Sequence, residues 1–166
     1  MYMISLIFII MAIAAAMFDL LTMTIPNWLC ALLAVLFFPA ALVVHQSSGV
    51  VLSQVACGLT VLAAGFILFQ CGRLGGGDAK LAAAIALWLG WSGLPAFLLQ
   101  TALWGGALAA MLLFFRTLNL PLTSVNQKFI ARLLDPAMGA PYGVALAIGG
   151  VLSLPHSALW RLAGSI

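Results

Sequence analysis

DAKLAAAIALWLGWSGLPAFLLQTALWGGALAAMLLFF, residues 78–115, is apolar almost throughout, yet it starts on an aspartate and places a lysine two residues later. Read as one helix, residues 79–115 would be about 55 Å long, against a bilayer hydrocarbon core of about 30 Å. The stretch has to break, and GWSGLP at 90–95 supplies the turn residues. A short segment over 79–89 and a full segment over 95–115 result. The short one starts at membrane depth and needs shelter from its neighbours.

The rest of the chain has the same character. Of its 166 residues, 66% are hydrophobic and 5% charged, whereas soluble domains carry about 25% charged residues. The runs are continuously apolar rather than alternating, which excludes a porin-like barrel and predicts an all-α, polytopic membrane protein. Further segments fall at 3–21, 28–44, 50–70 and 142–160, making about six spans. Pro26 suits the first turn of the second. The first run has no Lys or Arg before it and is long enough to span, so it reads as a helix rather than a secretory signal. The whole chain, 1–166, reads as one integral-membrane domain. Residues 116–142 form the sizeable polar connection, in which SVNQKFIARLLD (124–135) has the pattern of a short interfacial helix.

Charge excludes some functions and sets the orientation. The net charge of +3 is dispersed, with no basic cluster suited to nucleic acid. Cys30, Cys57 and Cys71 form no CxxC pair, and His45 and His156 have no nearby partner, so no metal site is expected. Arg73, Lys80, Arg116, Lys128 and Arg132 fall at the connections after segments one, three and five; Arg161 falls on the other side. The positive-inside rule places the shared side in the cytoplasm.

Three acids are present, Asp19, Asp78 and Asp135, with no glutamate. Asp135 reads as a surface residue of the polar loop. Asp19 ends the first segment and Asp78 opens the fourth, so counting spans puts both at the cytoplasmic leaflet. An acid within a span costs about 2.5–3.5 kcal/mol at mid-helix and less near an end, and therefore faces a cavity or partner. Two carboxylates at one wet site share a proton, because like charges a few ångströms apart resist ionising together. The ionised one can deprotonate a water while the neutral one polarises a peptide carbonyl and later helps protonate the leaving amine. Gly75, Gly76 and Gly77 permit positive φ and close approach of an extended peptide to Asp78. Asp78 can also be read as the N-cap of its helix, Asp19 as a helix-end acid, and Lys80 as a headgroup anchor. A small cation- or proton-coupled transporter and a non-catalytic assembly factor are the competing functions; no internal duplication of the transporter kind is visible.

Three stretches, FDLLTMTIPNWL (18–29), GGGDAKLAAAIALWLG (75–90) and PYGVALAIGG (141–150), resemble the prepilin peptidases, more narrowly the small Tad/Flp-pilus type of GxGD aspartic membrane peptidase. The resemblance implies catalytic roles for Asp19 and Asp78, and a GxGD motif at Gly75, Gly76, Gly77 and Asp78. It implies supporting roles for Pro26, Asn27, Pro141, Tyr142 and Gly143. The implied activity is cleavage of a prepilin or pseudopilin leader at the cytoplasmic face of a bacterial inner membrane, after a glycine and before the pilin's apolar helix, without a cofactor. Larger relatives carry a cytoplasmic domain with paired CxxC motifs and N-methylate the new terminus. This chain has no such motif, and no methyltransferase or zinc domain is expected. The linker between Asp19 and Ile25 also lacks the basic residue many relatives carry.

Overall fold

The computed structural model describes residues 2–117 and 139–163, all helix and turn. The expected interfacial helix at 124–135, with Lys128, Arg132 and Asp135, lies outside the described residues. Helix α1 is Tyr2–Thr22, α2 is Asn27–Val43 and α3 is Ser48–Gln70. Next come α4, Gly76–Thr117; α5, Tyr142–Ser153; a 3-10 turn, Leu154–His156; and α6, Ala158–Ala163. By length and composition α1, α3 and α4 can cross a membrane, and α2 and α5 are shorter apolar helices.

Helix α4 is two helices in space. Gly90 has φ 65° and ψ −177°, a conformation reserved in practice for glycine. Contacts on either side show that the chain reverses there. In the first arm, 76–89, Ile85 packs at Gly150 while Asp78 sits near the start of α5, so arm and α5 run parallel. In the second arm, 91–117, Thr101 meets Gly149 and Gly105 meets Tyr142, so that arm runs antiparallel to α5. The break is one residue rather than the six of GWSGLP. Residues 91–95 are helical because Gly90 alone turns the chain, and the first arm begins at Gly76, not at 79. We expect Gly90→Ala to cost about 1–3 kcal/mol, from the φ/ψ strain alone, read as a lower Tm in detergent. A Cβ at that position would also stand 3.0 Å from Gln54 Cγ.

The first arm is the hub. Almost every residue over 81–90 is buried, as a helix apolar on all sides should be. Between apolar helices in lipid, close packing rather than exclusion of water holds the contact, and small residues allow it. A Cβ on Gly65 of α3 would stand 2.9 Å from that of Ala79, and one on Gly58 would stand 3.2 Å from the Ala83 carbonyl oxygen. On the α2 side, Trp88 is fully buried among Phe8 and Phe37, with ring centroids at 5.4 and 6.1 Å. Its indole N–H donates to the Leu33 carbonyl at 2.8 Å, satisfying a polar group that lipid could not. Trp88 is thus a core residue, while Trp91 and Trp104 are about half exposed.

Paired contacts set the directions of the remaining helices. Asn27 meets Lys80 and Phe37 meets Trp88, so α2 parallels the first arm. Gly65 meets Ala79 and Gly58 meets Leu87, so α3 opposes it. Asp19 meets Gly143 and Phe8 meets Gly150, so α1 opposes α5. Six apolar segments therefore alternate in direction. The end of α1 and the starts of α2, the first arm and α5 share one end of the bundle, with Arg73, Lys80 and Arg116.

Two boundaries differ from expectation. The last apolar segment leaves the α-helix at Ser153, short of 160, because Pro155 has no N–H and its ring crowds the preceding turn. Helix α2 begins at Asn27, so Pro26 is its N-cap, with φ −61° and ψ 135°, rather than a member of its first turn. All three cysteines are free thiols.

Candidate active site

Asp19 is placed by the last turn of α1. That helix stops when Met23 takes φ 55°, while its N–H still bonds the Asp19 carbonyl at 2.7 Å. Pro26 then forces the chain to stay extended before α2. The side chain of Asp19 is 5% exposed, and its Oδ2 accepts the backbone N–H of Gly143 at 2.6 Å. Gly143 is the second residue of α5, so this N–H is one that the helix itself leaves unpaired. The carboxylate also lies at the positive end of the helix dipole. The PYG turn thus holds Asp19 through backbone, and Pro141, fully buried at the N-cap, fixes where α5 starts.

Asp78 is the third residue of the first arm, not its N-cap. Its carboxylate reaches back to the N–H of Gly75, which is half of a capping box. Capping is therefore one job of Asp78, though from another position. The side chain stays half-buried. The two acids, from α1 and from the first arm, lie at the same end of the bundle.

The three glycines before Asp78 act through space rather than through φ, since none of them has a positive φ. A Cβ on Gly75 would lie 2.8 Å from Asp78 Oδ2. A Cβ on Gly77 would lie 3.2 Å from Ile25 Cβ. Gly76 has ordinary contact with the Phe69 ring.

Ile25 was not singled out by sequence reasoning. It is 8% exposed and wedges between Gly77 and Gly143, its Cδ1 standing 2.9 Å from where a Gly143 Cβ would be. It thereby sets the spacing between the first arm, which carries Asp78, and the start of α5, which holds Asp19. Its position directly before Pro26, whose ring keeps the preceding residue extended, was the one signal in the sequence. Lys80 donates to Asn27 Oδ1 at 2.7 Å, tying α2 to the first arm; both side chains are exposed, and the partner of Lys80 is Asn27 rather than Asp78. The ring of Tyr142 lies over Gly105, where a Cβ would come within 2.7 Å of it. Among the described residues no group of three or more His, Cys, Asp or Glu is placed to hold a metal ion.

The type IV leader peptidase family model matches residues 6–110, from α1 into the second arm of α4, with both aspartates inside the match. The chain belongs to the type IV leader peptidase family. No curated protein and no solved structure matched it. Leader peptidases of this family are proteases, and the apolar helices make this one a membrane protein. The PYG turn of this leader peptidase lies beyond the matched residues, so its place beside Asp19 comes from the fold alone.

Proposed function

We propose that this leader peptidase is an aspartic endopeptidase of the GxGD kind, with Asp19 and Asp78 as the catalytic pair and a prepilin or pseudopilin as substrate. The observation that carries this is the placement of two acids, from α1 and α4, at one end of a bundle otherwise almost free of acid. In the reaction the pair holds one proton between its carboxyls. The ionised carboxylate takes a proton from a water molecule, whose oxygen bonds to the scissile carbonyl carbon. The protonated carboxyl polarises the carbonyl oxygen. Collapse of the tetrahedral intermediate breaks the C–N bond, and the amine leaves with a proton from the pair. The Gly143 N–H orients Asp19, Gly75 leaves room for the Asp78 carboxylate, and Gly77 leaves room for Ile25. No cofactor enters any step.

Arg73, Lys80 and Arg116, at the same end as the acids, support a cytoplasmic active site in a bacterial inner membrane. The small Tad/Flp-pilus type fits the lack of any CxxC pair in these residues. Supporting roles fall to Pro26, Asn27, Lys80, Pro141 and Tyr142 through the contacts above.

The test uses purified protein in detergent, with no ion gradient, and a precursor bearing a basic leader and a glycine before its apolar segment. Shortening of the precursor is expected. A precursor that stays whole, together with gradient-dependent ion uptake in vesicles, would establish the transporter reading instead.

A further inference from the structure

Three apolar grooves of similar size run along the bundle. One, about 400 Å³, lies between α1 and α5. A second, about 400 Å³, lies between α2, α3 and the first arm and ends at Asn27 and Lys80. The third, about 410 Å³, is bounded by α3, the second arm and the start of α5. Of these, the third alone reaches a carboxylate: Asp78 lines it, beside Tyr142. Asp19 is buried and lines none of the three. Of the two acids, Asp78 is the one these grooves reach.

Away from Asp78 the walls of this groove are apolar, with Val61 and Leu68 on α3 facing Leu94, Leu98 and Ala102 on the second arm. Of the three hydroxyl side chains on its walls, Tyr142 stands beside Asp78 at one end, Thr60 bonds the Ala56 carbonyl, and the Thr101 Oγ1 is buried against Gly149. An extended peptide lying there would leave its N–H and C=O groups unpaired in lipid, at several kcal/mol each. A helical segment pairs its own. Residues 60–68 of α3 and 94–102 of the second arm each rise about 12 Å, enough to flank about two turns of helix.

We propose that this groove holds the apolar segment of the substrate that follows the scissile bond. The peptide is unwound at Asp78, its polar leader stays outside the membrane, and its apolar continuation runs as a helix between α3 and the second arm. This rests on the peptidase reading and adds the side from which the substrate docks. The α2–α3 groove, equally apolar, has no carboxylate to which it could present a peptide.

Filling this groove and the α2–α3 groove in turn tests this. Ala102 lines the proposed groove and Ala31 the other, and both are exposed, so tryptophan at either leaves the core untouched. With a membrane-anchored precursor, Ala102→Trp is expected to lower kcat/KM at least about tenfold, mainly through KM. Ala31→Trp is expected to stay within about twofold of the parent. Cross-linking gives a second readout, in a protein whose three cysteines are alanine and which still cuts before Asp19→Asn is added to trap the substrate. Leu98→Cys and Leu59→Cys, similarly exposed at 55% and 60%, probe the two grooves against a precursor with one cysteine moved through the first two turns after the cleavage site. Disulfides to position 98 at helical spacing are expected. Preferential disulfides to position 59, or parental cleavage by Ala102→Trp, would overturn the groove assignment and leave the peptidase standing. Failure of the parent protein to cut at all would remove both.

Discussion

Replacing either aspartate by asparagine is expected to reduce leader cleavage by about a thousandfold or more. Asparagine keeps the shape of the side chain and removes the group that exchanges a proton, and positioned acid–base groups contribute about 10²–10⁴ in rate. In the proposed mechanism the two carboxyls act on one water and one carbonyl, so losing either disables both. Asp19→Asn combined with Asp78→Asn should therefore be little worse than either alone, the non-additivity of groups that work as a unit. The amide introduced by Asp19→Asn still has an oxygen to accept the Gly143 N–H, and the one introduced by Asp78→Asn can do the same at Gly75, so the helices keep their caps. Initial rates of precursor cleavage and Tm in the same detergent check this: rates collapse while Tm moves by a few degrees. A Tm loss as large as unfolding would instead make the acids structural.

The second large effect is expected at a residue with no side chain. In Gly143→Ala the new Cβ would fall 2.8 Å from Asp19 Oδ2, and 2.9 Å from both Asp19 Cβ and Ile25 Cδ1. Neither neighbour can give way easily, since Asp19 is fixed on α1 and Ile25 is held between two glycines and a proline. The carboxylate has to leave the Gly143 N–H or α5 has to retreat. A displacement of about 1 Å at a catalytic group costs about a hundredfold in rate, and that is the loss expected in kcat. Gly77→Ala, whose Cβ would stand 3.2 Å from Ile25 Cβ, should lose less, because the contact is looser and does not involve a carboxylate. The ordering of the two variants in kcat, with KM similar, is the measurement. Equal activity of Gly143→Ala and the parent would mean that Asp19 is not held as described.

Much of this was legible in the sequence for plain reasons. Long apolar runs have few ways to sit in lipid, so the spans could be counted, and counting them put Asp19 and Asp78 at one end. The same bilayer-thickness argument required a break in 78–115. Its location was legible less well, because a six-residue cluster of turn formers does not reveal that Gly90 alone, at φ 65°, reverses the chain. The PYG turn could be quoted from its resemblance, but not its task. That the Gly143 N–H meets Asp19 across the whole chain is a tertiary fact with no local signature. The glycines before Asp78 were read as permitting both positive φ and close approach; none takes a positive φ, and the close contacts at Gly75 and Gly77 are with Asp78 and Ile25 of this chain. Ile25 escaped notice because a single buried isoleucine in an apolar chain carries no compositional signal. Pro155 was a readable stop for the last helix, outweighed by the hydrophobicity around it.

The most direct measurement is the intact mass of a prepilin precursor after incubation with the purified parent protein, with Asp19→Asn and with Asp78→Asn. The expected result is two products from the parent, the larger starting at the residue after the glycine, and one uncut mass from each variant. Cleavage at that bond by either variant would contradict the account.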